Sequence, residues 1–202
     1  MNLETILVET LLKLGFDQTQ IAQKWRLLDK KYSQQNRYYH NWRHIEAMIA
    51  CWQQYNDQLE NPIEVLLAIY YHDAIYVSSR QDNELKSAEL AVKQLEKANT
   101  IRLDLVFDLI LCTKTHEPQT NDQNWLVDFD LKILGTNSDD YEEYQKQIRK
   151  EYRIYPNFMY KPGRKKALHH FLNKEFIFHT DVFRKVYEAQ ARENTQAEST
   201  KL

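Results

Sequence analysis

Apolar residues recur at steps of three and four along nearly the whole chain, the spacing that aligns one face of an α-helix. The first stripe runs Leu3, Ile6, Leu7, Thr10, Leu11 and Leu14 and stops at Gly15, a residue suited to the left-handed turn that ends a helix. Asp17 is placed to cap a second helix carrying Ile21, Trp25, Leu28 and Tyr32. After the polar turn Ser33 to Arg37, a third stripe holds His44, Met48, Trp52 and Tyr55. Asn61 and Pro62 supply the N-cap and first position of a fourth helix. Its Ile63, Leu66, Leu67, Tyr70 and Tyr71 make it apolar nearly all round, which predicts a central place in the fold.

Further helices are predicted over 83–98, 102–114, 123–134, 138–153, 163–174 and 180–194, with Asn83, Asp122, Ser138 and Thr180 as caps. The segments Thr115 to Gln123 and Ile154 to Pro162 read as loops placed to border a site. No strand-like alternation of useful length occurs, and no repeat or linker divides the chain. The expected architecture is therefore all-α: one helical-bundle domain over 1–194, with a polar tail over 195–202 that frays. Three glycines and four prolines in 202 residues leave too few turn residues for a sandwich or barrel of many short strands. The closest glycines, Gly135 and Gly163, are 28 apart, which excludes a Walker loop and a dinucleotide-binding fingerprint.

A formal charge of −2 gives no global basic field, so no nucleic-acid polymer is expected as a partner. No apolar run approaches the roughly 18 residues of a membrane span, and no membrane partner is expected. Cys51 and Cys112 lie inside apolar stripes and suggest no disulfide framework, while Glu4 and Glu9 do not suit a secretory signal. A reducing cytoplasm is the expected setting.

The histidines carry the chemistry. His40 and His44 stand four apart, and His72 is followed directly by Asp73 at the end of the most apolar helix. A buried ionisable pair needs a partner, and either metal coordination or simple capping and carbonyl bonding would satisfy it. His44 lies 28 residues before His72, and the stretch Asp128-Phe129-Asp130 follows Asp73, its last residue 57 positions on. Histidines, a His-Asp pair and a later aspartate on separate helices form a mixed nitrogen and oxygen ligand set for a divalent ion.

Six stretches then carry a family resemblance: RYYHNWRH (37–44), YHDAIY (71–76), NELKSAELA (83–91), TKTHE (113–117), DFDLKILG (128–135) and GRKKALHHFLNKEFIF (163–178). On these the chain resembles the HD-domain superfamily of metal-dependent phosphohydrolases, and in particular a small bacterial family of predicted HD phosphohydrolases of similar length. The resemblance implies an HD-like helical bundle with additional C-terminal helices. It implies His44, His72, Asp73 and one aspartate of Asp128-Phe129-Asp130 as metal ligands. Those two aspartates sit about 200° apart on a helix and should not both face one ion. Asp130, which precedes Leu131, is the assigned ligand, with Asp128 a supporting or surface charge.

The implied reaction is hydrolysis of a phosphoester by a water that a divalent ion activates, with Asp73 ligating and guiding the proton. Mn, Mg, Fe, Co, Ni and Zn all suit the ligand set. Arg37, Lys114 and His116 lie in matching motifs where a cation or imidazole could face the phosphate; the alternative is solvated side chains and a loop histidine. His40 and Asn41 either orient the ligands or cap a helix, and Glu84 and Ser87 either reach a ligand or belong to the cap around Asn83. Arg164, Lys165 and Lys166 either meet an anionic substrate or form a solvated face, while His169, His170 and His179 read as structural. The four tryptophans fall on core stripes; Tyr38, Tyr39, Tyr71 and Tyr76 flank the ligands, where a base could stack, which points to a nucleotide as the small phosphorylated substrate.

Competing readings are a cyclic- or dinucleotide phosphodiesterase, a metal-containing nucleotide-binding and signalling module without turnover, and a helical interaction protein without metal. The sequence does not reveal the oligomeric state, a homodimer included.

Overall fold

The computed structural model describes residues 2–98 and 100–202. Among them are ten α-helices and no strand, as the periodicity predicts. No helix among the described residues is long and apolar enough to cross a membrane. Two compact units are discernible, Met1–Leu126 and Val127–Leu202.

The first unit opens with α1 (Leu3–Lys13) and α2 (Gln18–Tyr32), which pack on each other. Gly15, at φ +85°, ends α1: its N–H reaches the Leu12 carbonyl and the Phe16 N–H the Leu11 carbonyl. That paired bonding needs a left-handed residue, which glycine adopts without a Cβ clash. Asp17 and Gln20 then form a reciprocal capping box at the head of α2. α3 (Trp42–Tyr55) is capped by Asn41, whose side-chain oxygen accepts from the Arg43 N–H at 2.9 Å. Next come α4 (Pro62–Tyr71), α5 (Asn83–Leu95) and α6 (Leu103–Thr115); α4 packs against α3, α5 and α6.

The central place predicted for α4 is what the fold shows, since every residue from Glu64 to Tyr71 is buried. Each of Val65, Leu66, Leu67 and Ile69 buried there contributes about 1.5–3 kcal/mol. An aspartate at Leu67 would forfeit that and bury an unpaired charge. Glu64, the one charged residue in this run, is satisfied by the backbone N–H of Arg102 at 3.1 Å, just ahead of α6.

Several caps differ from expectation. α7 spans Asn121–Leu131, so Asp122 lies inside it and holds the entry to α4 instead, accepting from the N–H groups of Glu60 and Asn61 and from Asn61 Nδ2 at 2.8–2.9 Å. Asn61 therefore caps α4 with its backbone alone. Asn83 opens α5, but its side chain bonds both backbone groups of Val77 across the preceding loop.

In the second unit a 3-10 turn (Lys132–Gly135) packs on α8 (Ser138–Glu151) and on α10 (Asp181–Lys201). A Cβ at Gly135 would stand 2.6 Å from Tyr187 Cβ, so only glycine permits this approach. Asn137, not Ser138, caps α8, whereas Thr180 caps α10 as predicted.

α9 runs Asn157–Leu172 and carries Pro162 and Gly163 inside it, where the sequence suggested a loop ending at Pro162. The tail from Asn194, expected to fray, is instead the continuation of α10. Its polar groups are buried and bonded. Asn194 Nδ2 donates to the carbonyls of Leu134 and Thr136, and Glu198 receives Arg164 through two bonds and the Tyr141 hydroxyl through a third.

Candidate metal centre

Two helix ends build the centre. Asn41 starts α3 so early that His44 falls on its first turn, where it is buried. Pro62 fixes the start of α4, and ten residues later the helix ends with His72 as its C-cap, followed by Asp73. His72 is 2% exposed and Asp73 9%.

Nε2 of His44 and Nε2 of His72 are 3.2 Å apart. Asp73 Oδ2 lies 3.2 Å from His72 Nε2 and 4.0 Å from His44 Nε2. The other ring nitrogen of His72, Nδ1, is 3.0 Å from the Ile69 carbonyl. A carbonyl only accepts, so Nδ1 donates to it and Nε2 is the ring atom turned toward His44 and Asp73. Adjacent ligands of one divalent ion stand about 3.0–3.4 Å apart, so the two 3.2 Å separations suit a shared cation. The donor set, imidazole nitrogen with carboxylate oxygen, fits such an ion chemically.

Asp130 stands half-buried near the end of α7. Asp130 belongs to the second unit, whereas His44, His72 and Asp73 belong to the first. Asp128 is engaged elsewhere: its carboxylate accepts from the N–H groups of His179 and Thr180 and from the Thr180 hydroxyl at 2.7–2.8 Å. It anchors the head of α10. Burial pushes its carboxyl up to about 6, against those donors.

Burial alone would also raise the Asp73 carboxyl. The imidazoles of His72, His40 and His44 outweigh burial and hold it well below the usual carboxylate range. Asp73 is thereby kept ionised, the form a cation requires.

Arg37 does not face this carboxylate cluster. Its guanidinium is buried and donates to backbone carbonyls: Asp73 at 2.6 Å, Ala74 at 3.1 Å and His40 at 3.1 Å. It sits over the rings of Tyr32 and Tyr76 and ties the loop before α3 to the turn that presents Asp73. These contacts give it a positioning task in place of the phosphate contact expected from sequence. Asn41 holds the same loop, its Nδ2 donating to the Tyr38 carbonyl at 2.9 Å. Ser87 does likewise beyond the centre, bonding the N–H and carbonyl of Ile75.

His40 stacks on Tyr76 with ring centres 4.2 Å apart, and the Tyr39 ring lies 4.9 Å from that of His44. Tyr39 and Tyr76 are half-buried. Tyr71 is not available to stack on a base. It is fully buried, and its hydroxyl has no hydrogen-bond partner among the described residues. Lys114 is exposed on the last turn of α6, and His116 is the left-handed cap of that helix at φ 52°. Glu84 is half-buried on the first turn of α5.

Comparison with family models, with curated proteins and with solved structures finds no significant match to this chain.

Proposed function

We propose that the protein is a metal-dependent phosphohydrolase acting on a small phosphorylated metabolite, with a nucleotide as the substrate class. The observation that supports it is the meeting of His44, His72 and Asp73 within 3.2–4.0 Å at two helix ends, with the His72 tautomer fixed by the Ile69 carbonyl. In this reading His44, His72 and Asp73 hold one divalent ion, with Asp130 the fourth ligand that the family resemblance implies. The bound ion supplies Lewis acidity, which activates a water and polarises a phosphoryl oxygen.

The chain's own residues do the rest. Asp73, held ionised by its imidazole neighbours, accepts a hydrogen bond from the attacking water and so orients it and guides its proton. Arg37 fixes the carbonyls on either side of that carboxylate's turn, so the ligand cannot swing away. Lys114 and His116 are the residues assigned to the phosphate, where a cation and an imidazole neutralise its oxygens. Tyr39 is the flanking aromatic left to meet a base, since Tyr76 is stacked on His40 and lies under Arg37.

The test is phosphate release from a panel of nucleotides and sugar phosphates with added Mn²⁺, for wild type and Asp73→Ala at matched circular dichroism. Release that vanishes in the variant and under chelator is expected. Absence of release from every compound would overturn the hydrolase; metal and nucleotide bound without turnover would point to a signalling module.

A further inference from the structure

The segment from Tyr152 to Lys174 contains six Lys or Arg residues and no Asp or Glu, in a chain whose net charge is −2. Arg164 is spent on Glu198 inside the second unit, while Arg153, Lys161, Lys165 and Lys166 are exposed. Among them stand three large exposed apolar side chains: Ile154 at 60%, Phe158 at 77% and Met159 at 51%. Nothing in the proposed hydrolysis uses this surface.

At 100° per residue, Phe158, Met159, Lys161, Pro162, Lys165 and Lys166 share an arc of about 160° on α9. Tyr160, Arg164 and Leu168, the residues turned inward, fall outside that arc. The apolar residues form the tip of this face, at the N-terminal turn and the loop before it, and the lysines follow behind.

The tip is built, not loose. Arg149 donates to the carbonyls of Tyr152 and Tyr155 at 3.0 Å each and to Asn157 Oδ1 at 2.9 Å. Its guanidinium also lies 4.5 Å over the Tyr160 ring, and Tyr152 stacks on Tyr155. Holding apolar groups rigidly in water has no benefit for folding; it lowers the ordering cost of docking them.

The charge pattern selects the occupant. A second copy would bring the same cations face to face, which opposes self-association through this patch. Nucleic acid would welcome the lysines and Phe158, but aliphatic Ile154 and Met159 cannot stack on bases. Exposed apolar side chains with cations beside them match a bilayer whose headgroups are anionic: the acyl boundary receives the apolar groups, and the lysines meet lipid phosphates.

We propose that the start of α9 and the loop before it dock peripherally on anionic membrane surfaces, with Ile154, Phe158 and Met159 entering the headgroup layer and Lys161, Lys165 and Lys166 paired to lipid phosphates. The earlier expectation of no membrane partner rested on the lack of a spanning segment, which surface docking does not need.

The experiment is sedimentation of the full chain with phosphatidylcholine vesicles and with vesicles containing about one third phosphatidylglycerol, at low and high salt. Binding to the anionic vesicles is expected at least about tenfold above the neutral ones and should fall at high salt. Ile154→Ser with Phe158→Ser should cut it by about tenfold, and Lys165→Glu with Lys166→Glu by a similar factor. All four side chains are exposed, so circular dichroism should be unchanged. No binding to either vesicle overturns the proposal. So does binding that the serine variant retains, or displacement from vesicles by single-stranded RNA in direct competition.

Discussion

Replacing Arg37 by Met separates two jobs that an arginine at this position could do. The substitution keeps an apolar stem between Tyr32 and Tyr76 but removes the donors to the carbonyls of His40, Asp73 and Ala74. Each buried carbonyl left without a partner costs about 1 kcal/mol at the low end, so the fold should lose about 3 kcal/mol. For a chain of this size that lowers Tm by about 6–12 °C. The assay is thermal unfolding followed by circular dichroism on metal-free protein, where no substrate or ion can contribute. Mn²⁺ affinity, measured at a temperature where the variant is folded, should drop by about tenfold or more, because the turn presenting Asp73 has lost its tie. An arginine that served mainly to bind phosphate would show the opposite pattern: an unchanged melt, unchanged metal affinity and a raised KM. A Tm within about 2 °C of wild type would refute the positioning argument.

Other consequences are equally specific. Gly135→Ala drives a methyl group to 2.6 Å from Tyr187 Cβ and should destabilise the second unit by about 1–3 kcal/mol, read by urea denaturation, without altering metal binding. Glu198→Ala strands the buried Arg164 guanidinium and should cost about 3–5 kcal/mol, while adding Arg164→Met should restore part of it; a double variant less stable than the single would contradict the pairing. Asp128→Ala should loosen the head of α10 while metal stoichiometry stays intact, whereas Asp130→Ala, at the ligand the family resemblance implies, should weaken metal binding and leave the melt nearly unchanged; calorimetric metal titration of both separates the two aspartates.

Much of the helical layout could be read from the sequence because it rests on burial of apolar stripes and on local chemistry. α4 declared its central place through an apolar run without a polar face, and Gly15 and Asp17 marked a helix end and the next helix start by rules that act within a few residues. The convergence of His44 and His72 was suggested by residue type, but only the packing of α3 on α4 brings them together.

Reading failed where polar groups act inside the fold. Asn194, Thr195, Glu198 and Ser199 read as a fraying tail, yet they are buried and bonded, a pattern that hydrophobic periodicity cannot detect. Arg37 resembles a phosphate ligand in sequence because its carbonyl partners carry no side-chain signature. Pro162 reads in sequence as the end of a loop, yet it lies inside α9. Its missing N–H costs α9 only one bond, near an exposed turn where solvent can reach the vacated Phe158 carbonyl.

The most direct measurement is Mn²⁺ titration by calorimetry of wild type, His72→Ala and Asp73→Asn, each checked for folding by circular dichroism. One ion per wild-type chain is expected, with loss of that site in both variants. Folded wild-type protein that takes up no divalent ion, or variants that bind it as wild type does, would contradict the metal centre.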